Sequence, residues 1–371
     1  MKKVKKRKLS IKKISRFLII IIIITILISN LGNIKTLFLS KITGYNKETI
    51  ETFLEDNTYN NIKDHKYSKT LETILKTKYY NKKYINEYID IIYIEKDNFL
   101  SNTNLLLEKG YTSKDINKIN ETLSDESINI LINNNYIEDI TNIISITYFK
   151  ESNLERYINY YQKEKLDIET ILTYVNIGID NDYYTNVIDI EDENNIEVLV
   201  NKYHKLSKDY EPDDLETITS KYGNGKLKKE AKIAFEEMCE AAKKENITIY
   251  SGSAYRSYTY QLNLYNRYAA QDGDSTITDT YSARAGYSEH QTGLAIDIMN
   301  AKWDYIDETD KEFTWLINNS YKYGYILRYP KDKEKITGYM YEPWHYRYLE
   351  KELATEIVKE NLTYDEYIAK K

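Results

Sequence analysis

With a single cysteine, Cys239, the chain has no internal disulfide framework. Its folded state must rest on core packing rather than on covalent staples. Prolines and tryptophans are scarce, three of each, and every one lies beyond residue 200 together with eight of the twelve glycines. Histidine is scarcer than any common metal site would make comfortable, four in 371 residues, so any site built on imidazole has few members to draw on. Acids outnumber bases over most of the chain: the first sixteen residues hold nine Lys/Arg and no acid, so the formal charge of −6 becomes −15 without them. An acidic remainder of that size argues against nucleic acid as a partner. Tyrosine is abundant instead, 39 residues, alongside much Ile, Asn and Lys, which reads as biased codon supply rather than special tyrosine chemistry.

Phe17 to Ile28 is an almost unbroken apolar run behind the basic cluster, extended weakly through Leu31 to Leu39. A run near twelve residues is shorter than the roughly 20 of a spanning helix and also fits a signal-peptide core. No small-residue cleavage motif follows, only Ser29-Asn-Leu-Gly32-Asn, which favours an uncleaved anchor. With the basic side inside, the rest of the chain is expected outside the cytoplasmic membrane.

Asn46 to Tyr184 reads as short helices with apolar residues at helical spacing. Segments beginning at Gly110, Asn135 and Lys165 resemble one another at intervals of about 25 to 30 residues, which suits stacked helical units serving as a spacer or as a protein-binding solenoid. Asp189 to Asn195 is acidic and polar and is expected to carry a linker.

From Ile196 the texture becomes mixed. Leu227 to Lys244 predicts an amphipathic helix with Ala231, Phe235, Met238 and Ala242 on one side, and Cys239 packed beside them. Ile247 to Tyr250 predicts a strand, Ser251 to Ser257 the loop leaving it, and Tyr258 to Ala270 a helix. In a second strand, Thr292 to Met299, Leu294, Ile296 and Ile298 point one way and Asp297 the other, as expected when one face packs on helices and the other lines a cleft. Metal-assisted hydrolysis needs a few ligands, an open position for water, and a base that does not itself bind the metal. His290 and Asp297, joined by the turn at Thr292-Gly293, and His345 supply the ligands; Glu342 is the candidate base. Pro343 biases Glu342 toward extended backbone, so Glu342 and His345 cannot be a plain helical pair, and a kink must aim both at one metal.

Ser251-Gly-x-x-Tyr-Arg-Ser257 with Gln261, Ser282-Ala-Arg-x-Gly-Tyr-Ser-Glu-His-Gln-Thr-Gly-Leu-Ala-x-Asp297, Trp315-Leu-x-x-Asn319, Tyr323 to Pro330, and Glu342-Pro-Trp-His-Tyr-Arg-Tyr348 resemble the VanY-type D-alanyl-D-alanine carboxypeptidases. The resemblance runs from about Asn201 to Ile368. It implies one zinc on His290, Asp297 and His345, with Glu342 as catalytic acid/base. It also implies Arg256 near the scissile carbonyl, and Gln261 and Ser288 in the substrate pocket. Tyr287 and Trp344 are assigned to that pocket as well, although for them and for Tyr346 core packing satisfies the sequence equally. Two departures are visible: Ala285 stands where Pro is usual, and Ser253-Ala254 makes the first loop atypical.

The expected architecture is therefore α+β: a small antiparallel sheet with flanking helices forming a zinc peptidase domain over residues 196–371. A basic tail and membrane anchor over residues 1–40 and a helical region over residues 41–195 precede it, the latter a spacer or a site for a protein partner. The expected activity is removal of the C-terminal D-alanine from peptidoglycan stem peptides on the outer side of a single-pass membrane protein. The alternatives are LD-carboxypeptidase action on tetrapeptide stems, or a zinc-containing peptidoglycan-binding module without catalysis.

Overall fold

The computed structural model describes residues 11–371; most of the basic tail, residues 1–10, lies outside them. By packing, the chain divides into residues 1–145 and residues 146–371.

In the first unit, the apolar run sits inside one helix, Ile11–Thr43, of 33 residues. Its segment Ser15–Thr43 is long and apolar enough to cross a membrane, and its large side chains from Phe17 through Leu27 are exposed. At about 1.5 Å per residue the helix is roughly 50 Å long, so the short apolar run is the centre of a longer element. The short helices that follow are capped by their own polar residues: Asn46, Ser68 and Ser124 accept from backbone N–H groups, and Thr112 closes a capping box with Asp115. Two tyrosines of this unit make the same pair of contacts. Tyr45 accepts from the Ser68 amide while its ring meets Tyr67 at 5.1 Å; Tyr111 accepts from the Ile137 amide while its ring meets Tyr136 at 4.9 Å. Between them, Asn61 donates to Asn86, and Asn117 accepts from the Ile92 amide, each 25 residues apart.

In the second unit, the helix Leu154–Lys163 packs on Ile168–Ile177, which packs in turn on Tyr364–Ala369. Ile177, Tyr203, Ile336 and Ala369 form one cluster, and Asn176 donates to the carbonyl of Ala369 at 2.9 Å. The packing break at 145/146 thus precedes the compositional break at about 195, because apolar burial rather than residue usage sets where a unit ends.

The central sheet has four antiparallel strands: β1 (Tyr250–Ser253), β2 (Ala295–Met299), β3 (Tyr325–Leu327) and β4 (His345–Tyr348), in the order β1-β2-β4-β3. One face carries Ile296, Ile298, Tyr325, Tyr346 and Tyr348 into a core with Ala231, Phe235, Met238, Cys239 and Ala242 of the helix Lys229–Lys244. Burial pushes the Cys239 thiol pKa up, consistent with a packing role. Tyr346 is core. Strand β1 starts at Tyr250, the residue at which the strand expected over Ile247–Tyr250 ends. A side chain at Gly252 would come within 2.9 Å of Met299 and Tyr305, so the small Ser-Gly-Ser stretch pairs with β2 instead of forming a loop.

Candidate active site

The opposite face of the sheet carries the polar groups. Asp297 in β2 is the direct cross-strand partner of both Ser253 and His345. His290 comes from a 3₁₀ turn, Glu289–Thr292, which ends at Gly293 with φ +68°, and a Cβ there would stand 2.8 Å from Leu215. Only glycine suits that reversal, and the reversal brings His290 back over Asp297. The kink expected at Pro343 is a turn in which the His345 amide donates to the Glu342 carbonyl at 3.1 Å. It brings Glu342 Oε2 within 3.6 Å of His345 Nδ1.

His290 Nδ1 lies 2.7 Å from the carbonyl of Ala254, which can only accept, so Nδ1 carries the proton and Nε2 keeps its lone pair. That Nε2 is 3.3 Å from Asp297 Oδ2. His345 Nδ1 is 3.0 Å from Asp297 Oδ1 without the alignment a hydrogen bond requires, so this buried oxygen has no hydrogen-bond partner. The two imidazoles stand edge to face, 4.9 Å apart. Ligand atoms of His290, Asp297 and His345 all lie within 4.8 Å of one another. Two nitrogens and a carboxylate oxygen converging on one point, with that oxygen otherwise unsatisfied, fit a first-row divalent cation such as zinc.

Burial, reinforced by Arg256, lowers the His290 pKa to about 4, which keeps the ring neutral as ligation requires. For His345 burial acts the same way, but the carboxylates of Asp297 and Glu289 outweigh it and raise the pKa to about 9. Burial raises the Glu342 pKa to about 7, with His345 opposing and Asp297 adding to the rise.

Arg256 follows β1 and donates to Asp297 Oδ2 at 2.5 Å, to Ser253 Oγ at 2.9 Å and to Gln261 Oε1 at 3.3 Å. Gln261 in turn donates to the carbonyl of Ala283 at 2.7 Å. Arg256, Gln261, Ser288 and Trp344 line a cleft of about 310 Å³ together with His290, Asp297, His345 and Glu342. Tyr287 does not line it. Its ring packs edge-on against Tyr184 at 4.9 Å: Ser288 has extended backbone (φ −97°, ψ 126°), where neighbouring side chains point to opposite sides.

Sequence reasoning missed the support beneath His345. Glu289 Oε1 accepts from Arg328 Nε at 2.7 Å and from Arg347 Nη1 at 3.1 Å, and its other oxygen lies 3.6 Å from His345 Nε2. Arg328 also donates to Asp365 at 2.6 Å, and Arg347 donates to the carbonyls of Ile196 and Val198. Despite burial, the two guanidiniums hold the Glu289 pKa well below the usual carboxylate range. The arginine alternating with the ligand on β4 was the available signal. Tyr281, Tyr305 and Tyr329 also line the cleft and were not singled out.

A small antiparallel sheet presenting a His-Asp-His set beside a buried glutamate is the design of a metallohydrolase centre. Residues 224–351 match the sequence profile of the VanY family, described as D-alanyl-D-alanine carboxypeptidase. YodJ of Bacillus subtilis, provisionally described as a carboxypeptidase, is 40% identical over 197 residues, covering 49% of this chain and 70% of that protein. A bifunctional D-Ala-D-Ala dipeptidase and D-Ala-D-Ala carboxypeptidase of Enterococcus gallinarum, VanXYC, is 34% identical over 176 residues, 46% of this chain and 91% of that protein. Among solved structures, the LdcB LD-carboxypeptidase matches with a TM-score of 0.47 and 37% identity, over 51% of this chain and 94% of that one. The chain belongs to the VanY family of D-alanyl-D-alanine carboxypeptidases.

Proposed function

We propose that residues 196–371 are a zinc-dependent carboxypeptidase that removes the C-terminal D-alanine of peptidoglycan stem peptides on the outer side of the cytoplasmic membrane. The observation that carries this reading is the convergence of His290, Asp297 and His345 with Glu342 in one open cleft. A zinc ion, which His290, Asp297 and His345 would hold, would supply Lewis acidity. Glu342 accepts the proton of the attacking water and returns it to the leaving amine as the C–N bond breaks. Arg256 has a guanidinium beside the ligands and stabilises the negative charge that develops on the carbonyl oxygen. Gln261, Ser288 and Trp344 bound the space for the terminal residues.

The protein is expected to bind about one zinc, and chelation is expected to abolish hydrolysis of a D-Ala-D-Ala peptide. Metal analysis of His290→Ala and His345→Ala checks the ligands; full zinc occupancy in both would overturn the assignment. A variant series on penta- and tetrapeptide stems separates this activity from LD-carboxypeptidase action, since only the former cleaves between two D-alanines.

The helix Ile11–Thr43 serves in this reading as an anchor whose basic side stays in the cytoplasm, and the helical residues 44–145 as the spacer beyond it, residues 146–195 packing with the peptidase unit. Protease added to intact wall-stripped cells should digest the C-terminal unit. Protection of that unit would reverse the orientation and remove peptidoglycan as substrate.

A further inference from the structure

A second cavity adjoins the catalytic cleft, and Tyr339 and Met340 line both. Its volume is about 700 Å³, and its walls include Tyr183, Tyr184, Lys202 and Arg284. The first three of these lie outside the segment that matches the family profile.

Lys202 is only 2% exposed. Among the described residues, its ammonium makes one hydrogen bond, to the carbonyl of Asp279 at 2.7 Å, and otherwise faces the rings of Tyr183 at 4.1 Å and Tyr339 at 4.7 Å. The nearby Asp279 carboxylate is engaged elsewhere: Arg284 grips both its oxygens at 3.0 and 2.7 Å, and Tyr265 donates to it. An ammonium has three donors, so Lys202 is a buried cation with donors to spare and no carboxylate against it. Contacts with aromatic faces return only about 0.5–2 kcal/mol of the desolvation such a charge suffers. The hydroxyls of Tyr184 and Tyr339 are also buried and face one another without the alignment of a full hydrogen bond. Tyr184 sits at φ +63°, a left-handed conformation that a bulky side chain adopts only when its surroundings enforce it. Glu334 and Lys335 at the rim are both exposed and offset each other in charge.

We propose that this cavity binds a free carboxylate of the substrate upstream of the scissile bond, held by Lys202 with the hydroxyls of Tyr184 and Tyr339. The proposal rests on the carboxypeptidase reading, and it adds a recognition element for the acidic part of a stem peptide. Two sources carry that chemistry: the α-carboxylate of a γ-linked glutamate, and the side-chain carboxylate of diaminopimelate.

The test uses calorimetric binding to the full chain carrying Glu342→Gln. Four peptides ending in D-Ala-D-Ala are compared: a lysine stem with γ-linked glutamate, the same stem with that carboxylate amidated, a diaminopimelate stem with the glutamate amidated, and a short acyl-D-Ala-D-Ala. Whichever carboxylate is bound should tighten affinity by about tenfold over the fully amidated stem, in keeping with a hydrogen bond to a charged group. The added change Lys202→Met should erase that preference and leave the short peptide's affinity unchanged. Tyr184→Phe, which keeps the ring, should weaken the same peptide by a few fold and guards against a Lys202→Met protein that does not fold. Equal affinity for all stems, or equal losses on every peptide in both variants, would overturn the site. The carboxypeptidase reading fails separately, if the parent enzyme leaves the short acyl-D-Ala-D-Ala uncleaved while the carboxylate preference in binding persists.

Discussion

Glu342→Gln is expected to lower kcat by roughly 10²- to 10⁴-fold, the contribution of a positioned general base, while zinc stays bound. The side chain keeps its size and most of its hydrogen-bonding capacity but cannot accept a proton at neutral pH. It stands 3.6 Å from His345 Nδ1, in the cleft but outside the His-Asp-His set, so its loss should leave metal content near that of the parent. The acid side of the pH profile adds a second readout. A base works only when deprotonated, so activity falls as pH drops through the pKa of Glu342. Burial raises that value to about 7, and a bound cation acts in the opposite direction. The acid limb assigned to this group should therefore disappear from the residual activity of the variant. Rate, zinc content and thermal midpoint measured together separate the outcomes. Turnover of a D-Ala-D-Ala peptide at nearly the parent rate would rule out Glu342 as the base and favour a binding module without catalysis.

How much of this centre could be read from the sequence depended on whether a residue's role was local. His290 and Asp297 are tied by one turn and one strand, and the alternation of Leu294, Ile296 and Ile298 against Asp297 already placed the acid off the core face, where β2 carries it. Pro343 likewise announced the kink that aims Glu342 and His345 together. Relations between distant segments were not legible. The partners of Glu289 lie 39 and 58 residues away, and Asp365 reaches Arg328 from a terminal helix, Tyr364–Ala369, that carries no ligand. Tyr287 sits beside Ser288 in the chain yet packs on Tyr184, since extended backbone at Ser288 sends neighbouring side chains to opposite sides. The segment 146–195 shares its composition with the helices before it but its buried contacts with the catalytic part.

The buried charges under His345 set the second large effect. Glu289, Arg328 and Arg347 have fully buried side chains, and Glu289 Oε1 bridges the two guanidiniums at 2.7 and 3.1 Å. Removing one member of such a cluster strands the others without solvent, a loss of about 3–5 kcal/mol for a buried pair. Glu289→Ala leaves Arg347 with backbone carbonyls only and Arg328 with Asp365 as its one carboxylate. At about 2–4 °C per kcal/mol for a unit of this size, the thermal midpoint of the catalytic unit should fall by roughly 6–20 °C. A second consequence concerns the metal. Glu289 Oε2 is the acid facing His345 Nε2, at 3.6 Å, longer than a hydrogen bond, and its charge favours a proton on Nε2 and raises the basicity of Nδ1, the nitrogen proposed as ligand. Losing such support typically costs 10- to 100-fold in metal affinity, so Glu289→Ala should release zinc to a competing chelator at lower concentration than the parent. Glu289→Gln retains the shape but not the charge, so its midpoint should fall between the two while its zinc affinity still drops. Scanning calorimetry and chelator competition on both variants decide the matter. If Glu289→Ala melted within a degree or two of the parent and held zinc equally well, the cluster would be neither a stability element nor the support of His345, and the orientation of that imidazole would have to come from Asp297 and β4 alone.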